Sequence, residues 1–292
     1  MIDIHMHSKY STDGIDEVSE ILEQAEKLGL KYISITDHNS CGAYEDLKNE
    51  EIRNIYSGKI ITGVELNTKV LGIPIEILGY NIDPEKLQKL IDETYLSIDE
   101  RNKLEVERLY KKAIDANINL PQDFVEKYDG SIYASKYFHN YIIKDENNKK
   151  YINENSWNDS NVFYREYMSN PSTQFFVDMD DALQDFEVSS KIVKEAGGMV
   201  FLPHIFEYRE NSIKILNYIL ENYEFDGIEC YYRNFTTEQT EFLLNICKEK
   251  KLYISGGSDY HGRVKPNVKM GIGEGNLNVP DDIVETWKKI II

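Results

Sequence analysis

The chain has 292 residues, enough for one large domain or two small ones. Hydrophobic residues make up 41% and charged residues 29% of the chain, so a globular fold is expected and global disorder is not. Lys and Arg total 33 against 51 Asp and Glu, a net charge of 33 − 51 = −18, which excludes a protein that coats nucleic-acid duplexes through phosphate neutralisation.

Short apolar runs alternate with helix-like segments through both ends of the chain. In the first 80 residues, strands are predicted at 2–6, 32–36, 60–66 and 73–80, and helices at 18–28 and 43–56. Towards the other end, strands are predicted at 199–202, 227–230 and 252–255, with helices at 213–220 and 238–250 between them. Strands that alternate with helices are typical of a mostly parallel sheet, and this number of units favours a barrel over an open sheet.

The middle of the chain has a different pattern. Residues 84–178 are helical in pattern, highly charged and rich in Tyr and Asn. We predict an α/β barrel domain formed by 1–83 and 179–292, with 84–178 as a helical insertion that caps the active site. A final surface helix is predicted at 280–292.

The cellular compartment is predicted from features that the sequence lacks. The first residues have no basic and apolar regions of a signal peptide, and no apolar run approaches 18 residues. Cys41, Cys230 and Cys247 lie far apart, which suits a reducing compartment and side chains that only fill space. We therefore expect a cytoplasmic protein with no membrane partner.

Histidines and carboxylates collect at the predicted strand ends. His5 and His7 are two residues apart on a strand, so both imidazoles point to one face and can reach one metal ion. The same kinds of residue recur at other strand ends: Asp13, Asp37, His38, Glu65, His204, Asp259 and His261. In a parallel α/β barrel the C-terminal strand ends meet at one mouth. Buried Asp, Glu and His need partners, so this concentration predicts a metal site.

These motifs, taken in order, resemble the polymerase and histidinol phosphatase (PHP) family. They run from Ile2 to Gly262 and read H-M-H, S-T-D-G, I-T-D-H, G-V-E-L, I-L-G-Y, L-P-H and G-G-S-D-Y-H-G. The helical insertion resembles the branch of stand-alone phosphoesterases. The resemblance implies a distorted (β/α)7 barrel, two to three divalent metal ions and hydrolysis of phosphate esters. We expect Mn²⁺, with Zn²⁺ or Fe²⁺ as alternatives.

The resemblance also implies roles for single residues. The first metal would be bound by His5, His7, Glu65 and Asp259, and the third by Asp13, His38 and His261. Glu65 would bridge to the second metal, which His204 also binds. Asp37 is expected to orient an imidazole from outside the ligand set.

The sequence departs from the family at three positions. Glu76 stands where relatives usually have His; it can be a ligand that favours Mn²⁺, Mg²⁺ or Fe²⁺, or it can point to solvent. The insertion lacks the usual R-x-H phosphate element, and Lys136 is the available substitute. Proline precedes His204 instead of following it. His139 matches no motif and is predicted to be structural or lid-facing and not catalytic.

We therefore predict an enzyme, a metal-dependent hydrolase of small phosphomonoesters such as nucleotide or sugar phosphates. A metal-bridging hydroxide would attack phosphorus, with Glu65 as the bridge and His38 or His261 protonating the leaving group. Cationic candidates for binding the anionic substrate are Arg209, Arg233, Arg263 and Lys136.

Three alternatives stay open from the sequence. The first is an amidohydrolase, although that class usually needs a modified bridging lysine. The second is a phosphodiesterase or short-oligonucleotide exonuclease with the same metal site, although the charge of −18 argues against long nucleic acids. The third is a catalytically silent metal-binding barrel.

Overall fold

The computed structural model describes residues 1–287, and residues 288–292 lie outside the described part. The predicted final helix at 280–292 falls partly on those residues. Its described portion holds one short 3₁₀ turn, Val284–Trp287.

The strands form a short parallel pair and a six-stranded sheet, so the observed architecture is α/β, as predicted. The pair consists of β1 (Tyr32–Ile33) and β2 (Lys59–Ile60). The larger sheet consists of β3 (Gly63–Val70), β4 (Ile73–Tyr80), β5 (Gln184–Asp185), β6 (Met199–Leu202), β7 (Gly227–Tyr232) and β8 (Tyr253–Gly257). Its strand order is β5-β3-β4-β6-β7-β8.

One strand of the larger sheet runs against its neighbours. β4 is antiparallel to both β3 and β6, whereas the other pairs in the sheet are parallel. Only Leu71 and Gly72 connect β3 to β4, and both have positive φ, 56° and 73°. A two-residue turn of this kind makes a hairpin, because its twist matches that of the strands. Among the strands of residues 1–287, β4 is thus the antiparallel exception in a sheet whose other pairs are parallel, which agrees with the prediction of a mostly parallel sheet.

The segment predicted as the first strand, 2–6, is extended but forms only isolated bridges. Asp3 pairs with Ile33 beside β1, and Met6 pairs with Tyr260 just beyond β8. The backbone N–H of Asp259 donates to the carbonyl of His5 at 2.9 Å. This segment therefore lies between β1 and the end of β8. Closure of a seven-stranded barrel stays a prediction.

Helices connect the strands. They are α1 (Val18–Leu28), α2 (Ala43–Asp46), α3 (Glu50–Arg53), α4 (Pro84–Thr94), α5 (Ile98–Asp115), α6 (Ala134–Ile142), α7 (Glu154–Asn158), α8 (Ser160–Phe163), α9 (Phe186–Glu195), α10 (Ser212–Asn222) and α11 (Thr237–Lys250). The predicted helix at 43–56 is two short helices, because residues 47–49 turn between them. Among residues 1–287, no helix combines the length and the apolar character needed to cross a membrane.

The core beneath the sheet is built around aromatic side chains. Trp287 is fully buried, and its ring lies 5.3 Å from that of Tyr80 and 4.9 Å from that of Phe201. Ile2 and Ile4 belong to the same cluster. Ile2 and Ile4 therefore anchor the 2–6 segment, while His5, on its other face, contacts Glu65.

The chain divides into two compact units. One consists of Met1–Thr94 and Leu183–Ile292, and the other of Tyr95–Ala182. The second unit therefore begins after α4, whereas the sequence placed its start at residue 84. It has its own aromatic core, in which His139 is buried with its Nε2 atom 2.7 Å from the carbonyl oxygen of Ser156. His139 therefore has a structural partner.

Candidate metal centre

Strand ends and loops of the first unit bring five histidines and four carboxylates into one connected site. These are the nine ligands predicted from the sequence: His5, His7, Asp13, His38, Glu65, Glu76, His204, Asp259 and His261. Three subsets have their ligand atoms within 4.8 Å of one another. The site is therefore a cluster of imidazole nitrogens and carboxylate oxygens, without thiolates.

Glu65 lies at the centre of the site, and its two oxygens face different histidines. Oε2 lies 3.2 Å from Nε2 of His5 and 3.2 Å from Nε2 of His7. Oε1 lies 3.0 Å from Nε2 of His204. This placement suits the bridging role that the family resemblance implies.

One carboxylate oxygen of Asp259 faces the same histidines, and the other is held by donors on neighbouring side chains. Its Oδ1 atom lies 3.2 Å from Nε2 of His7. Its Oδ2 atom accepts hydrogen bonds from Tyr232 Oη at 3.0 Å and Lys265 Nζ at 3.3 Å, and lies 2.9 Å from Arg233 Nη1. Because Oδ2 already has these donors, Oδ1 is the oxygen placed to bind a cation. Asp259 also has a φ of 54°, a strained conformation that is common at functional sites.

Glu76 reaches into the site from β4. Its Oε2 atom lies 3.4 Å from Nε2 of His204, and its Oε1 atom lies 4.0 Å from Nε2 of His38. The backbone N–H of Glu76 donates to Tyr208 Oη at 2.9 Å. The carboxylate therefore lies beside two histidines although its side chain is 27% exposed, and its closeness to them favours the ligand hypothesis over the surface-charge hypothesis.

Asp13 lies beside both histidines of the third group of candidate ligands. Its Oδ2 atom lies 2.8 Å from Nε2 of His261 and 3.5 Å from Nε2 of His38. The rings of His7 and His261 stack with centroids 4.1 Å apart. His7 therefore borders two ligand groups, although the resemblance implies a role at the first metal alone.

One buried nitrogen without a partner, Nε2 of His7, indicates that these residues fit a metal cluster. Within residues 1–287, His7 Nε2, His38 Nδ1 and His204 Nδ1 are buried and have no hydrogen-bond partner. His7 Nε2 lies 3.2 Å from two carboxylate oxygens without making a hydrogen bond to either. A buried polar atom without a partner is costly, and a cation between this nitrogen and the two oxygens would satisfy all three.

Two buried carboxylates support the backbone around the ligands. Asp37 accepts hydrogen bonds from the N–H and Oγ of Ser8, at 2.6 and 2.7 Å. Asp3 accepts from the N–H of Ser258 at 2.9 Å, and its burial raises its pKa to about 6. Asp37 therefore fixes the residue after His7 through Ser8, and its orientation of an imidazole stays a prediction.

The charges in the site shift each other's pKa values. Burial lowers the pKa of His38, but the charge of Glu65 and the bond to Asp13 outweigh it and raise that pKa to about 10. Burial likewise lowers the pKa of His204, but Glu65 raises it to about 9. Burial would raise the pKa of Glu65, yet the nearby imidazoliums of His5 and His38 hold it well below its ordinary value. In the metal-free protein, protonated histidines therefore balance the negative charge that metal ions would otherwise balance.

We predict that Mn²⁺ affinity rises with pH. Because His38 and His204 hold protons at neutral pH, a metal must displace them, and affinity should rise about ten-fold per pH unit for each proton displaced. Calorimetric titrations in buffers of different ionisation enthalpy measure this release. An affinity that is flat between pH 6 and 8 would contradict these assignments.

The stability of the metal-free protein should follow the same shifts. The raised pKa values of His38 and His204 contribute stability that is present below about pH 6.5 and is lost as pH rises through about 9 to 10. The lowered pKa of Glu65 contributes stability that is present above about pH 4.5 and is lost as pH falls. Urea unfolding should therefore find a maximum between these limits.

The predicted substrate-binding cations differ in how they are placed. Arg233 is buried with its Nη1 atom against Asp259, whereas Arg263 is 75% exposed and its Nε atom lies 3.5 Å from Asp16. Arg209 is exposed and has a φ of 52°. Lys136 is exposed in the second unit. Their roles towards substrate stay predictions.

Two residues that sequence reasoning did not select contact the candidate ligands. Lys265 Nζ lies 3.2 Å from His261 Nε2. Glu229 is fully buried in β7 and contacts His5. A glutamate inside an apolar strand was the available signal, since a buried charge needs a partner.

Comparison with known proteins identifies the family of this chain. The PHP domain model matches residues 3–160. A 5′-3′ exoribonuclease of Haemophilus influenzae is 26% identical, with 98% of each chain covered. A phosphoribosyl 1,2-cyclic phosphate 1,2-diphosphodiesterase of Eggerthella lenta is 22% identical, with 89% of this chain and 94% of that protein covered.

Solved structures share the fold. A protein of Bifidobacterium adolescentis, described as a metal-dependent phosphoesterase, matches with a TM-score of 0.67 at 22% identity, covering 99% of this chain and 96% of that one. An amidohydrolase of Chromobacterium violaceum with bound sulfate matches with a TM-score of 0.66 at 20% identity, covering 99% and 95%. Because the domain model covers more than half of the residues, this chain belongs to the PHP family.

Proposed function

We propose that this protein hydrolyses small phosphomonoesters, such as nucleotide or sugar phosphates. It is a PHP-family metal-dependent phosphoesterase. The observation that carries the proposal is the central carboxylate of Glu65, whose two oxygens face separate histidines, beside a buried His7 nitrogen that lacks a hydrogen-bond partner. Such a cluster suits divalent cations, which phosphoryl transfer needs for charge neutralisation.

The nine candidate ligands would hold two to three ions, and the mixture of imidazoles and carboxylates suits Mn²⁺, with Zn²⁺ or Fe²⁺ as alternatives. When bound, these ions would polarise the phosphoryl oxygens and lower the pKa of water. Glu65, with one oxygen facing each of two ligand groups, would fix their positions relative to each other. His5 and His7 would be oriented by the backbone of the 2–6 segment, against which Gly257 lies so closely that an added Cβ would be 2.3 Å from that of His5.

The remaining chemistry falls to side chains at the third ligand group. His38 or His261 would protonate the leaving oxygen, and Asp13, within 3.5 Å of both Nε2 atoms, would hold the two rings in place. Arg209, Arg233, Arg263 and Lys136 are our candidates for the phosphate contacts. Lys265 joins them, since its Nζ atom already lies beside His261.

Parallel assays with Mn²⁺ test the substrate. We expect aryl phosphate and nucleoside monophosphates to be hydrolysed at least about ten-fold faster than a bis-aryl phosphodiester or a 5′-labelled RNA. The reason is the charge of −18, which repels each phosphate that stays outside the site. Faster release from the RNA or the diester would overturn the monoesterase proposal. No turnover of any of them, with metal bound, would support the silent barrel.

A second candidate is an exoribonuclease that acts on short RNA. It is supported by the relative from Haemophilus influenzae, which has that name and aligns over 98% of both chains, and by an Escherichia coli 5′-3′ exoribonuclease that is 22% identical over 98% of this chain. The RNA arm of the same assay separates the two candidates. For an amidohydrolase the support is likeness of fold alone, and the bridging position holds Glu65 instead of a lysine.

Glu76 has its own test. If it binds metal, Glu76→Gln should weaken Mn²⁺ affinity at least about ten-fold. Mutation of residues that only support the ligands already lowers metal affinity by about 10- to 100-fold, so a ligand should lose at least the smaller of these amounts. Glu76→His should keep activity and shift the preference towards Zn²⁺, because imidazole is the softer ligand. Equilibrium dialysis with each metal measures both effects. Unchanged affinity in Glu76→Gln would mean that the carboxylate is not a ligand.

A further inference from the structure

We infer that Glu229 is a positioning residue that fixes candidate ligands of two metal positions at once; the inference rests on the proposed metal centre. Glu229 lies in the middle of β7, between Ile228 and Cys230, and its side chain is fully buried. A carboxylate in such surroundings is costly unless both oxygens have partners.

The two oxygens are divided between two candidate ligands. Oε1 lies 2.9 Å from Nδ1 of His5, and Oε2 accepts a hydrogen bond from the backbone N–H of His204 at 2.8 Å. His5 and His204 are far apart in the chain and face opposite oxygens of Glu65. Glu229 is therefore a common support for both sides of the bridging carboxylate.

The contact with His5 selects the tautomer that a ligand needs. A carboxylate only accepts hydrogen bonds, so Nδ1 of His5 must carry the proton that it donates to Oε1. In the neutral ring that metal binding requires, Nε2 is then the nitrogen with the free lone pair, and it lies 3.2 Å from Oε2 of Glu65. A carboxylate behind a histidine raises the basicity of that histidine and fixes the orientation of its ring.

The contact with His204 holds a strained piece of backbone. His204 has φ and ψ of 24° and 46°, in a region that residues with a side chain rarely adopt. Such a conformation persists only when its surroundings enforce it. The hydrogen bond to Oε2 of Glu229 is one such restraint, and it places Nε2 of His204 3.0 Å from Oε1 of Glu65.

Glu229→Gln tests the inference because an amide cannot make both contacts. If its oxygen accepts from His204, its NH₂ group faces Nδ1 of His5 and moves the proton of that ring to Nε2, which then cannot bind metal. If the amide is flipped, its NH₂ group faces the N–H of His204, and two donors oppose each other. Either orientation disturbs one ligand while side-chain volume is kept.

The experiment measures Mn²⁺ stoichiometry and affinity by titration without substrate, so its outcome does not depend on the proposed substrate. We expect Glu229→Gln to bind Mn²⁺ about 10- to 100-fold more weakly than the wild type. The matched control is Glu241→Gln, an exposed residue of α11, which should bind like the wild type. Circular dichroism and the Tm of the metal-free proteins show whether each variant folds.

Wild-type Mn²⁺ affinity in a folded Glu229→Gln protein overturns the inference. If that variant does not fold, Glu229→Asp decides, because a side chain shorter by about 1.5 Å cannot reach both partners. Weaker Mn²⁺ binding in folded Glu229→Asp supports the inference, and wild-type binding overturns it. If the wild type itself binds no Mn²⁺, Zn²⁺ or Fe²⁺, the proposed metal centre fails, which is a separate result.

Discussion

Replacing His5 and His7 together with Ala is expected to abolish activity and to remove at least one metal ion per chain. Both Nε2 atoms lie 3.2 Å from Oε2 of Glu65, and His7 also borders the group around Asp13. Metal binding contributes several kcal/mol of transition-state stabilisation, and each 1.36 kcal/mol is ten-fold in rate, so we expect a loss of at least about a thousand-fold. Elemental analysis and turnover of aryl phosphate measure the two effects.

His139 offers a matched control for this double substitution. Of the six histidines of the chain it is the one outside the candidate ligand set, and its Nε2 atom lies 2.7 Å from the carbonyl oxygen of Ser156 in the second unit. His139→Gln should therefore keep wild-type metal content. If the double variant also kept its full metal content, His5 and His7 would not be ligands.

Much of the candidate site could be predicted because its ligands lie in short motifs at strand ends. Alternation in an extended segment places His5 and His7 on one face, and this does not depend on distant contacts. The α/β class follows in the same way from the alternation of apolar runs with helical patterns. The folded protein keeps these local patterns because the apolar residues in them must face the core.

The antiparallel direction of β4 was harder to predict. Leu71 and Gly72 form a turn of only two residues, and the positive φ of Leu71 is not signalled by its side chain. Strand direction depends on pairing with partners far along the chain, in this case β6. The sequence pattern of a buried strand is the same in both directions.

The contacts of the supporting residues were hard to predict for a related reason. Asp37 precedes His38 in the sequence, which suggested a contact with an imidazole, but its carboxylate holds Ser8. Glu229 lies in a strand that has no other recognisable motif, and its partners His5 and His204 are distant in sequence. Contacts of this kind depend on the tertiary fold, and no fixed spacing in the sequence predicts them.

Substituting Glu65 with Gln should have an effect as large as that of the double histidine variant, for a different reason. Glu65 is 1% exposed, and its oxygens lie within 3.5 Å of a nitrogen of each of four histidines. Glutamine keeps the volume but removes the charge and one of the two acceptor oxygens. We therefore expect both ligand groups that share Glu65 to lose metal affinity, and the rate to fall at least about a thousand-fold.

A second measurement separates a lost bridge from a general loss of structure. Glu65 is a cause of the raised pKa values of both His38, at about 10, and His204, at about 9. Without its charge both pKa values should fall, so the alkaline loss of stability of the metal-free protein should move to lower pH. Urea unfolding between pH 6 and 10 measures that shift, with exposed Glu93→Gln as the matched control. An unchanged alkaline limit together with unchanged metal content would show that Glu65 does not bridge the site, whereas a shifted limit with metal lost places its charge between the two ligand groups.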